Sequence, residues 1–144
     1  MGATGPPGPT ASGYASADGA LPLPDEQDDH LKVLDLDSGP GHSGPIKVGF
    51  EARLIANSAL TVQANAAGLS IAACRLVLSR TGSPDVSLGQ RQDTSVSGVG
   101  FDVIALTGAA DVTPGSYGVE VICFSGGGDP SISKRDLTVV AVAR

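Results

Sequence analysis

The strongest constraint on this chain is a period-two alternation of apolar and polar residues, interrupted at short intervals by glycine, proline and aspartate. Ile46 to Asn57 shows it best: Val48, Phe50, Ala52 and Leu54 alternate with Lys47, Gly49, Glu51 and Arg53. Successive side chains of a strand point to opposite faces, so the pattern predicts a half-buried strand with one wet face. Leu69 to Ser79 repeats it, with Cys74, Leu76 and Leu78 on one face and Arg75, Val77 and Ser79 on the other. Tyr117, Val119, Val121 and Cys123 make the inward row of a further strand.

Other segments fill in an all-β chain. His30 to Asp37 is the first strand candidate, closed by the breaker-rich run Ser38 to Pro45. Asp85 to Val96 is polar and weakly alternating, which predicts an edge strand guarded by charge. Gly100 to Thr107 and Leu137 to Ala143 are apolar on both faces, as central or interface strands would be. Turns are expected at Thr81–Asp85, at Asp111–Ser116 with Pro114 and Gly115 at the corner, and at Gly126–Pro130. No segment carries the helical period. Small and β-branched residues dominate, with 3 Phe, 2 Tyr and no Trp. About six to eight short strands between such turns predict an antiparallel β-sandwich or jelly roll, one domain spanning residues 25–144.

The first ten residues follow a different rule. Gly2, Gly5 and Gly8 recur at every third position, with Pro6, Pro7 and Pro9 among the intervening residues. In a collagen triple helix only glycine fits at the shared axis, so residues 1–10 read as the end of a collagen-like repeat. A Pro/Gly-rich flexible leader is the other reading. The period stops at Ala11, and residues 11–24, rich in Ala, Ser, Gly and Pro, read as a linker. Three chains wound together imply a homotrimeric head with the collagen-like triple helix of the same chain as its partner. Phe101, Val103, Ile104, Leu106, Leu137, Val139, Val140 and Val142, on the two strands apolar on both faces, are the candidates for the interface between protomers. The same strands read equally well as central strands covered within one subunit.

Charge narrows the partners. The chain has 9 Lys plus Arg against 15 Asp plus Glu, and a sequence pI near 4.6. Phosphate neutralisation needs clustered cations, so nucleic-acid binding is disfavoured. No apolar run approaches the ~20 residues of a membrane-spanning helix. Met1 leads straight into Gly2-Ala-Thr without a basic region or apolar stretch, so any exporting segment is expected upstream.

Cys74 and Cys123 are the only cysteines. Each shares the parity of its strand's core residues, so both thiols are expected to point into one core. That suits a disulfide between the two sheets, closing a loop of about 50 residues and stabilising the fold by about 4 kcal/mol in the loop-entropy account. Such a bond implies an oxidising compartment. Two buried free thiols acting as small hydrophobes are the alternative.

Chemistry has little support. The two histidines, His30 and His42, lack a nucleophile elbow, a His-Glu-x-x-His helix or a second histidine at ligand spacing. No catalytic residue and no cofactor are therefore expected. Asp25 to Asp29, followed by Asp35 and Asp37, is the one stretch where a hard cation has carboxylates to use, with Asp35 and Asp37 as weak candidates. It lacks the glycine-turned loop that gathers six to eight oxygens, and a solvated acidic segment is the plainer reading.

Several of these motifs together resemble a known family. They are the Gly-x-y tail, Phe50 to Asn57, the Cys-x-Leu-x-Leu strand at Cys74–Leu78, the Gly-x-Tyr-x-Val-x-Val-x-Cys strand at Gly115–Cys123, and the terminal strand Leu137 to Val142. In combination they look like the C-terminal domains of bacterial collagen-like surface proteins, and the similarity covers most of the chain. At the level of architecture the chain also resembles the jelly-roll heads that follow collagen stalks in complement-type and tumour-necrosis-factor-like proteins. The resemblance implies a secreted or surface-displayed structural head that trimerises, and that caps or registers the triple helix. The alternative is a receptor- or glycan-binding tip of a surface appendage or phage tail fibre, with Gly39–Pro45 and Gly126–Pro130 as contact loops. The scarcity of aromatic residues, which stack on sugars, favours the structural role.

Overall fold

A computed structural model describes residues 10–25, 30–37, 41–65 and 67–144. Those residues form two five-stranded antiparallel sheets with no helix. One sheet holds β1 (Thr10–Ala17), β2 (Leu21–Pro22), β5 (Ala52–Ala64), β8 (Gly100–Val112) and β10 (Pro130–Ala143). The other holds β3 (Leu31–Asp35), β4 (Ile46–Val48), β6 (Leu69–Arg80), β7 (Ser83–Ser97) and β9 (Gly115–Gly127). The first runs β1-β10-β5-β8 with β2 also beside β10; the second runs β3-β9-β6-β7 with β4 also beside β9. The expected all-β sandwich is what forms.

Alternation builds the core. β5 buries Ala52, Leu54, Ala56, Leu60 and Val62 while Arg53, Ile55 and Asn57 point outward. Ser58 sits at a core position, and its hydroxyl donates to the Asp136 carbonyl at 2.6 Å, so no polar group is stranded. Leu36, Ile46, Leu76, Leu88, Ile132 and Leu137 fill the space between the sheets.

Two expectations about the strands change. Ile46 to Asn57 is two strands: β4 pairs with β9, the chain crosses at residues 49–51, and β5 joins the other sheet. The parity survives the crossing because both strands bury the same phase against one shared interior. Residues 11–24 are built into the fold, since Thr10 to Ala17 pair along β10 as β1 and Leu21–Pro22 pair with Ile132 and Ser131. The outer edge of β1 is then closed by residues 41–43: Ser43 N–H donates to Tyr14 O at 2.8 Å and Ser16 N–H to Gly41 O at 3.2 Å. That cover removes an open strand edge. The Gly-x-y triplets at 2–9 lie outside the described residues.

The disulfide forms, but within one sheet. Cys74 and Cys123 are directly paired residues of neighbouring strands β6 and β9, with Cα atoms 4.1 Å apart. Both sulfurs face the core, as parity requires, and both are fully buried. Parity decides which face a side chain takes and is silent on which strands are neighbours.

Candidate assembly face

The outer face of the β1-β10-β5-β8 sheet is the surface to which the functional expectations lead. Strand register sets it out as rows. Thr10 pairs with Val142, Val142 with Arg53, and Arg53 with Asp111. The next outward row is Ser12, Val140, Ile55 and Ala109; the one after is Tyr14, Thr138, Asn57 and Thr107. Beyond lie Ser16, Asp136, Ala59 and Ala105, then Thr61 with Val103, then Gln63 with Phe101.

This face is apolar at both ends and small or polar in the middle. Phe101 and Val103 are 70% and 60% exposed, and Val140, Val142, Ile55 and Tyr14 are exposed near the β1 start. Exposed aliphatic and aromatic side chains clustered on one sheet face mark a surface that gains by being covered. Half of the expected interface set is unavailable: Ile104, Leu106, Leu137 and Val139 alternate inward and are buried in the protomer's own core. The reason is that a strand apolar on both faces shows one set to the core and the other to the outside. Phe101, Val103, Val140 and Val142 are exposed on the outer face. β8, moreover, is the last strand of its sheet's pairing order, so no strand of that sheet covers it on the far side.

An ionic cluster stands at the end where β1 begins. Arg53 Nε donates to Asp111 Oδ1 at 2.9 Å, and Arg144 reaches Glu51 at 2.9 Å and Asp111 at 3.8 Å. The Arg53 hydrogen bond holds the Asp111 carboxyl below the usual carboxylate range. At the other end the Thr94 hydroxyl and the Val103 N–H both bond the Asp102 carboxylate, lowering it in the same way.

Two depressions occupy the middle. One of about 250 Å³ has the facing methyls of Ala59 and Ala105 as its floor, walled by Asn57, Thr107, Asp136 and Thr138. The other, about 470 Å³, opens where β10 bulges between Ile132 and Arg135, and is bordered by Asp18, Thr61, Val103 and Lys134. The bulge is pinned from inside: Arg135 donates to the carbonyls of Val33 at 2.7 Å, Gly19 at 2.8 Å and Ser133 at 2.6 Å.

The remaining sequence candidates are scattered. The His42 ring Nδ1 donates to the Asp35 carbonyl at 2.5 Å, and His30 stacks on Phe124 with ring centroids 4.6 Å apart. Asp35 is buried and pairs with Lys32 at 2.7 Å, whereas Asp37 is exposed. Among the described residues no group of three or more His, Cys, Asp or Glu converges to hold a metal ion. Residues 26–29 and 38–40, parts of the acidic stretch and of a proposed contact loop, lie outside the described residues. Tyr14 and Ile55 belong to the face and are absent from the sequence candidates. A linker composition hides Tyr14, although Ala11, Gly13, Ala15 and Ala17 alternate with Ser12, Tyr14 and Ser16. Alternation between very small residues carries a weak hydrophobic signal.

No family profile matches the chain, and no curated protein matches it in sequence. Solved structures match its fold. The Eiger TNF of S. frugiperda is 12% identical with a TM-score of 0.52, the alignment covering 96% of this chain and 94% of that one. The fold is a jelly roll. A mutant VP2 protein of infectious bursal disease virus, in T=1 particles, aligns at 13% identity and a TM-score of 0.55 over 94% of this chain. The Gx strain of the same virus gives 10% and 0.54 over 92%. This chain spans about a third of those viral chains, 32% and 37%. Identities this low establish shared architecture alone.

Proposed function

We propose that this domain is a non-catalytic structural head that trimerises, and thereby caps and registers a collagen-like stalk on a secreted or surface-displayed protein. The observation that carries the reading is one of position: the last Gly-x-y triplet ends at Thr10, and Thr10 is the first residue of the sheet whose outer face exposes Val142, Val140 and Ile55 near that point. Three chains sharing a helix axis are delivered side by side at that point, next to Val142, Val140 and Ile55. A folded trimer holds the chain ends together and removes the concentration-dependent step of bringing three chains into register. A buried disulfide is compatible with an oxidising, extracellular setting. Both histidines are engaged in structural contacts, which favours the non-catalytic reading.

The test is molar mass by light scattering on residues 1–144 and 10–144 at micromolar concentration. Three chains per particle are expected for the full chain, and a monomer overturns the reading. The truncation stops before Thr10 because deeper removal would strip β1 and β2 from their sheet.

A second reading, a binding tip, draws on Val99 and Leu69. They are 76% and 55% exposed and lie at the end of the sandwich remote from Thr10, where Gly98 N–H bonds Gly68 O at 2.6 Å. An array of glycans and matrix proteins tests it; binding that Val99→Ser abolishes supports it, and a blank array counts against it.

A further inference from the structure

Tyr14 and the Ala59–Ala105 depression lie on the same sheet face and are not in contact in this chain. The row that contains Tyr14 runs through Thr138 and Asn57 to Thr107, so Ala59 and Ala105 stand two and three strands from β1, roughly 10–14 Å away, with Thr138, a wall of the depression, in between. The ring is 57% exposed and does not line the depression. Tyr14 is thus a large aromatic projection on one margin of the face, in a chain with 2 Tyr and no Trp. The depression is its converse: a floor of two alanine methyls, about 250 Å³ of space, and polar walls from Asn57, Thr107, Asp136 and Thr138.

We propose that Tyr14 of one copy of this chain seats in the Ala59–Ala105 depression of the next copy. The inference rests on the assembly reading above and names its central contact. The occupant is a second copy because the Gly-x-y triplets end four residues before Tyr14 on the same strand, so partner copies are brought to this face. A ring buried there covers the alanine methyls, and its hydroxyl meets the wall groups it needs, the Asp136 carboxylate and the Asn57, Thr107 and Thr138 side chains. Projection and depression are different places on one surface, so each copy gives a ring to one neighbour and receives one from the other. Such head-to-tail contacts close into a ring where the rotation between copies closes, and three copies held by one stalk set that ring at three.

The experiment uses the full chain. Tyr14→Ala and Ala105→Arg, both at exposed positions, are each expected to raise the concentration at which the assembly half-dissociates by at least tenfold, with the monomer's unfolding midpoint unchanged. Oxidising the double variant Tyr14→Cys/Ala105→Cys is expected to give covalent species up to the trimer on non-reducing gels. Neither single cysteine variant is expected to cross-link. A wild-type trimer that Tyr14→Ala leaves unchanged, or a cross-link formed by Tyr14→Cys alone, overturns this contact and leaves the assembly reading standing. A wild-type monomer overturns both, and a wild-type dimer that Tyr14→Ala dissociates keeps the contact while overturning the trimer.

Discussion

Gly89 on β7 and Gly108 on β8 meet backbone to backbone at a corner of the sandwich. A Cβ on Gly108 would lie 2.5 Å from the Leu88 carbonyl carbon and 2.8 Å from Gly89 N, and one on Gly89 would run into Thr107 O. The two strands belong to different sheets and pack against each other here. It forms at an irregularity: Cys74 pairs with Gln92 and Leu76 with Leu88, so β7 carries two extra residues opposite Arg75. Gly89 takes φ +71° there, a conformation that glycine adopts without strain.

Gly108→Ala should therefore destabilise the domain by about 2 kcal/mol or more, since the clash is with backbone that cannot step aside. Gly49→Ala, with open space around the new methyl and no positive φ, should stay within about 0.5 kcal/mol of the parent. Urea unfolding of the pair checks this, and equal midpoints would refute the corner's role.

The Cys74–Cys123 bond closes a separation of 49 residues between paired strands. Replacing both cysteines with alanine should lower stability by about 2–4 kcal/mol, most of it through a less constrained unfolded chain. Denaturant titration is the measurement, and a loss under about 1 kcal/mol would show that the β6–β9 ladder alone sets the constraint.

Tyr117 is buried beneath Arg80, whose guanidinium carbon lies 5.2 Å from the ring centroid. Its hydroxyl donates to Thr113 O at 2.6 Å and accepts from Arg80 Nη1 at 3.1 Å, tying β9 to the turn that follows β8. Tyr117→Phe leaves that carbonyl without its donor and should cost about 1–2 kcal/mol by thermal or urea unfolding. An unchanged midpoint would mean that the Arg80 contacts with Thr113 and Pro114 hold the turn by themselves.

Partial burial raises the Glu120 carboxyl above its ordinary 4.5, with Asp85, Asp35 and Asp37 adding to the shift and Lys32 opposing it. A folded state that holds the proton more tightly is favoured at low pH. This contribution is fully present below the ordinary value and is lost as pH rises through the raised one. Glu120→Gln should accordingly melt at a higher temperature than the parent at pH 7 and at the same temperature near pH 3. A variant less stable than the parent at pH 7 would show that the Lys32 attraction outweighs burial.

Local pattern made much of this fold legible. The phase of Leu54, Leu76, Val119 and Val121 placed their faces correctly, and the same phase turned Cys74 and Cys123 toward one core, because strand parity is a property of the backbone and needs no partner. Which strands are neighbours is a different matter. That β6 lies beside β9, making the disulfide an intra-sheet bond, and that β8 pairs with β5 and is last in its sheet's order, depends on pairings between residues far apart in sequence. Thr10–Ala17 shows the same division. Its small residues carry too little apolar contrast to announce a strand, and only the β10 ladder makes it one, setting Tyr14 on the outer face. The sequence by itself determined strand content, the inward phase and the three-residue period at the N-terminus; the tertiary structure decided order, edges and exposure, since these follow from long-range pairing and from the closing of one sheet over another.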